Sequence, residues 1–174
     1  MALARPVPTQ QERLLSEDDF IVSKTDLKGI ISYGNRTFIG ISGYEEHELL
    51  GAPHNILRHP DMPRSVFKLL WDRIQGGREI NAYVKNLCKD GGFYWVFANV
   101  TPSYDERGRL SGYLSVRRKP RPGALQAITP IYQAMLDLER RSGNGQEGMR
   151  ASQALLDKTL QEGGTFYDAF VLAL

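Results

Sequence analysis

The amino-acid sequence predicts an α+β fold, an antiparallel sheet with its helices gathered on one face. Three observations carry this. Alternating or β-branched runs of strand length stand at both ends of residues 19–118, and hairpin turns separate them. Between them lies one clear helix, residues 64–75, where Val66, Phe67, Leu70, Trp71 and Ile74 recur at helical spacing until Gly76-Gly77. Consecutive hairpins join antiparallel strands, so the helices between the two hairpin groups pack together on one side.

Taken in order, residues 1–18 read as a flexible leader with little to bury. Residues 20–24 form the first strand, 26–29 the turn and 30–33 the second strand. Gly34-Asn35 ends it, and short helices follow at 36–41 and 44–50, with Ser42 and Glu45 at capping-box spacing. The third strand is 79–87, with Ile80, Ala82 and Val84 on one parity and Asn81, Tyr83 and Lys85 on the other. Lys89-Asp90-Gly91-Gly92 turns the chain into a fourth strand, 93–101, rich in aromatic and β-branched residues. A turn at 105–108 leads to the last strand, 110–118. The charged run 117–123 reads as a solvated linker at the domain edge. Beyond it, Ile128, Ile131, Met135 and Leu138 make a narrow apolar stripe, with Thr129-Pro130 as cap and first residue. Helical patterns recur at 149–161 and 165–174, so residues 123–174 read as a helical signalling or linker region. The last apolar stripe stops with the chain, which predicts a piece of a longer protein.

Composition narrows the function. The chain has 174 residues, 41% hydrophobic and 24% charged, enough for one globular domain with an appendage. A net charge of +2 argues against a nucleic-acid binder that works by phosphate neutralisation. The single cysteine, Cys88, excludes an internal disulfide and fits a reducing compartment. No stretch is apolar enough for a membrane span. No Ser-His-Asp pattern, phosphate-binding glycine loop or metal-ligand spacing appears, so nothing in the sequence resembles a hydrolase or transferase.

The chemistry concentrates in residues 53–63, Pro-His-Asn-Ile-Leu-Arg-His-Pro-Asp-Met-Pro. Three prolines keep this stretch out of helix and sheet. Between them stand Asn55, Arg58, His59 and Asp61, just before a helix N-terminus, an arrangement that suits an anion such as a phosphate. The same residues also suit an internally hydrogen-bonded surface turn.

That central motif, with Thr25-Asp26-Leu27, Ser42-Gly43-Tyr44, Val84-Lys85-Asn86, Tyr94-Trp95-Val96 and Ser111-Gly112-Tyr113, resembles the PAS family over residues 19–119. The resemblance is to the PAS domains of bacterial aerotaxis receptors, which carry FAD. It implies the PAS fold: a five-stranded antiparallel sheet with short helices on one face, here followed by a C-terminal helical extension. It implies a cytoplasmic redox or oxygen sensor that signals to a chemoreceptor region, and the stripe at Ile128, Ile131, Met135 and Leu138 separately predicts self-association through the C-terminal helices or the leader. Arg58, His59 and Asp61 are then expected to be flavin-related, with Asn35 beside them. FAD also needs an apolar slot, for which Trp71 is a candidate, and amides at its polar ring edge, for which Asn86 and Asn99 are candidates. Each has a plainer reading: the asparagines tie strand ends, His59 and Asp61 brace their loop, and Trp71 is core. Ile80 stands where the family often has tryptophan. The cysteine of light-sensing flavin domains has no counterpart between residues 34 and 78. Two alternatives stay open: a haem-binding gas sensor with His59 as iron ligand, and a cofactor-free dimerisation module.

Overall fold

A computed structural model describes residues 5–174. Five strands form one antiparallel sheet in the order β2-β1-β5-β4-β3, with β1 Ile21–Thr25, β2 Ile31–Gly34, β3 Ile80–Leu87, β4 Phe93–Tyr104 and β5 Leu110–Arg118. Helices α1 Arg36–Ser42, α2 Glu46–Leu49 and α3 Arg64–Gln75 lie between β2 and β3. The expected sheet is therefore present. The helix at 64–75 falls on the stretch its periodicity marked, with Val66 and Ile74 buried. β4 runs three residues beyond the expected end, and the capping box forms between Glu45 and Glu48 instead of at Ser42.

Register decides which side chains share a face. Ala82 pairs with Ala98, Ala98 with Arg117, and Arg117 with Ile21. Because side chains alternate along each strand, Val84, Asn86, Val100, Ser115, Tyr113 and Ser23 fall on that same face. Tyr83, Trp95, Phe97 and Asn99 fall on the other.

The C-terminal helices depart most from expectation. α4 Pro122–Arg141, α5 Gly145–Glu162 and α6 Tyr167–Ala173 do not stand outside the core. Ala124, Ile128, Tyr132 and Met135 of α4 are buried in the same cluster as the sheet. Tyr132 Oη donates to the Tyr83 carbonyl at 2.8 Å, and the Tyr132 ring stacks on Trp95. Thus α4 covers one face of the sheet, while α5 and α6 pack on α3 and β3. The apolar stripe finds its partner within the chain. Its helix starts at Pro122, not Thr129; Pro130 lies inside it.

The leader is also docked. Arg13 pairs with Asp90, Thr9 N donates to the Gly91 carbonyl, and Leu15 is buried. These contacts hold it along the β3–β4 hairpin, in place of the expected flexibility. Residues 1–4 lie outside the described part.

Candidate functional site

A cavity of about 370 Å³ opens between α3 and the sheet. Its apolar wall comes from Phe67, Leu70, Trp71 and Ile74 of α3, facing Val84, Ala98, Val100 and Tyr113 of the sheet. Trp71 stands edge-on to Tyr113, with centroids 5.6 Å apart. The close approach of Trp71 needs a residue without Cβ at Gly29, where φ is +79° and a Cβ would meet the indole at 2.9 Å.

Five cationic side chains line this cavity: Lys28, Arg58, Arg64, Lys68 and Arg117; among the described residues no acid does. The first four are exposed or half-buried and mark the mouth. Arg117 differs, being only 2% exposed. Nη2 donates to the Ser23 hydroxyl, Nε and Nη1 have no hydrogen-bond partner among the described residues, and the guanidinium lies 4.8 Å from the Phe38 ring centre. Burial brings its pKa down to about 10, so it stays charged at neutral pH. A buried charge without a carboxylate is costly, and it calls for an electron-rich ligand edge. Beside it, burial and the Arg117 charge hold His54 at about 3, a neutral imidazole.

Three of the expected site residues meet at this cavity: Arg58, Trp71 and Asn86. Arg58 lies 4.5 Å over the Phe67 ring, and its backbone pairs with that of Asn86. The other four do not line it. Asn35 caps α1: its side-chain carbonyl accepts from Phe38 N and Val22 N, and its amide donates to the Phe20 carbonyl. His59 is buried, accepts from Asp61 N on Nδ1 and sits edge-on to Phe93. Burial, then Lys85, lowers its pKa to about 4. Burial pushes the Asp61 carboxyl up, but Lys85 at 2.9 Å more than offsets this and holds it low. His59 and Asp61 thus engage each other, and Asp61 engages Lys85, off the cavity lining, while His59 Nε2 has no hydrogen-bond partner among the described residues. Asn99 faces away from the cavity, bonded to Asn81 and Glu79.

Two further expectations change. The N–H groups opening α3 are not free, because Glu139 accepts from Arg64 N and Ser65 N. An anion at this mouth must be held by side chains. Arg117 is a cavity residue and not part of a solvated linker. Sequence reading missed it, although its parity with Tyr113 and Ser115 on the last strand was available. It also missed His54, whose pairing with Ser23 across the fold leaves no local signal. Cys88 is buried, away from the cavity lining, with its pKa raised to about 11 by burial.

The family described as PAS fold matches residues 31–117. The chain is 39% identical over 155 residues to the aerotaxis receptor of Escherichia coli K12, covering 89% of this chain and 30% of that protein. It is 26% identical over 117 residues to the nitrogen fixation regulatory protein of Klebsiella pneumoniae, covering 67% and 24%. The chain thus spans less than a third of the length of these relatives. A light-oxygen-voltage domain studied with a flavin analogue shares the fold at a TM-score of 0.56 and 22% identity, over 64% of this chain and 83% of that one.

Proposed function

The chain belongs to the PAS-fold family, a family of signal-sensing domains, and on that premise we propose that it is a cytoplasmic FAD-binding redox or oxygen sensor of the aerotaxis-receptor type. The observation that carries this reading is the cavity itself: an apolar slot against Trp71, a buried guanidinium with no carboxylate partner among the described residues, and a cationic mouth. The slot suits a flat polycyclic ring with a polar edge, and the mouth suits a phosphate-bearing tail.

Within this reading each residue has a defined task. Trp71, Leu70 and Val100 flank the ring and exclude water from it. Arg117 and Asn86 face its polar edge, where Arg117 can only donate while the Asn86 amide can donate or accept. Arg58 and Arg64 hold the phosphates. A bound flavin supplies an electron couple whose two states differ in charge and hydrogen bonding at that edge. Arg117 stands five residues before Pro122, so a change in its pairing acts directly on the start of α4. In the complete protein that helix leads toward a chemoreceptor signalling region, and self-association is part of the proposal. No helix among the described residues is long and apolar enough to cross a membrane.

The haem alternative draws less support, because its candidate iron ligand, His59, does not line the cavity. The experiment is an absorption spectrum of the purified chain after reconstitution with FAD and removal of free ligand. Retained flavin bands support the reading. A haem Soret band, or no retained chromophore, overturns it.

A further inference from the structure

The corner where the cavity opens already holds an anion. Glu139 of α4 accepts from Arg64 N at 2.7 Å and from Ser65 N at 2.9 Å, closing the N-terminus of α3 from far along the chain. Its charge also acts on Arg58, one of the mouth cations. Three more contacts bring the α4–α5 hairpin to this corner. Ser65 and Ser152 share a buried hydroxyl hydrogen bond of 2.7 Å, Arg140 reaches Asp61 at 3.6 Å, and Met149 lines the cavity. The hairpin therefore borders the ligand site, reaching its lining through Met149, and its carboxylate sits at the end of α3 beside the cationic mouth.

We propose that Glu139 competes with the phosphates of an incoming ligand for the Arg58–Arg64 corner, so that the chain discriminates ligands by their tails and reports an occupied tail to the α4–α5 hairpin. The inference rests on the flavin reading above. A diphosphate adds negative charge beside a carboxylate that already occupies the backbone N–H groups of Arg64 and Ser65 and whose charge acts on Arg58. With the diphosphate bound, either Glu139 stays and weakens the tail, or it leaves and the hairpin loses one of its links to α3, keeping the Ser65–Ser152 bond. A ligand with the same ring and no phosphate leaves Glu139 where it is. The coupling is reciprocal: the factor by which tail binding loosens the hairpin is the factor by which loosening the hairpin tightens the tail.

The test titrates the full chain and its Glu139→Gln variant with FAD and with riboflavin, which share the ring and differ in the tail. Glutamine keeps an acceptor for the α3 N–H groups and removes the charge. The expected result is FAD binding tighter by about two- to fivefold in Glu139→Gln, the order of one partly screened charge, with riboflavin unchanged. The gain shrinks in high salt. Independently, in the wild-type chain, FAD but not riboflavin speeds amide exchange at the start of α5. Equal effects on both flavins, or no effect with no change in exchange, overturn the inference while leaving the flavin reading intact. If neither flavin binds the wild-type chain, the flavin reading falls first and the inference with it.

Discussion

The Arg117 guanidinium donates to the Ser23 hydroxyl, and among the described residues this is its only hydrogen bond. The fold thus keeps a charge in its interior with one hydrogen bond, to the neighbouring strand, and no carboxylate partner among the described residues. Arg117→Met removes that charge at similar volume. The ligand-free protein should gain roughly 1–4 kcal/mol, seen as a higher thermal midpoint. Flavin retained through gel filtration should fall in the same variant. A lower midpoint with unchanged retention would mean that Arg117 is a structural residue.

Acid should destabilise the chain well above the carboxylate range. His54 and His59 are held at about 3 and about 4 in the fold, against 6.5 as the ordinary value. Between those limits the unfolded chain binds more protons, so stability is full above about 6.5 and declines as pH falls toward 4. His54 faces Arg117, Ser23 and the Phe38 ring; His59 faces Lys85, Asp61 and Phe93. Urea midpoints should drop between pH 7.5 and 5, and His54→Gln should flatten that drop. A flat wild-type profile counts against this account.

Arg58→Ala should weaken FAD by roughly 1.5–3 kcal/mol, the range of a charge-assisted hydrogen bond, and weaken riboflavin much less. Asn99→Ala should leave both affinities and the flavin potential unchanged, because Asn99 lies across the sheet from the cavity. Isothermal titration gives the affinities. A potential shift in Asn99→Ala would show that the two faces of the sheet communicate.

The C-terminal helices should prove integral to the domain. Tyr132→Phe leaves the buried Tyr83 carbonyl without its donor and should cost roughly 1–3 kcal/mol. Removing residues 122–174 uncovers Tyr83, Trp95 and Phe97 together and should lower the thermal midpoint much further. Equal midpoints for residues 1–121 and the full chain would contradict the packing described.

What the sequence disclosed and what it hid divide along physical lines. The α3 stripe and the strand alternation are local, repeated signals, and both were read correctly. Asn86 and Asn99 looked equivalent because parity across two strands depends on the register at the hairpin. Asn99 pairs with Asn81, an odd number of residues from Asn86, and this puts the two on opposite faces. Arg117 was masked by its neighbours, since Arg118, Lys119 and Arg121 make the run look uniformly solvated. Glu139 left no mark at all, because its partners lie more than 70 residues earlier. His59 and Asp61 were noticed for their chemistry, yet they lie off the cavity lining, and Asp61 ties the loop to Lys85 of β3 and Arg140 of α4.

The proline-rich loop has a second consequence, one for the behaviour of many copies together. At one margin of the sheet, Arg58 bridges the backbone of Asn86, and Lys85 N points at the Met62 sulfur. At the other margin, Ile31 exchanges backbone bonds with Gly51 and Ala52. The chain's own loops therefore occupy part of each row at which a foreign strand would add. A domain with Tyr, Val, Phe and Trp in adjacent strands is otherwise a good seed for fibrils. Capping at these positions keeps copies from stacking edge to edge, and leaves faces and helices as the routes by which one copy can meet another.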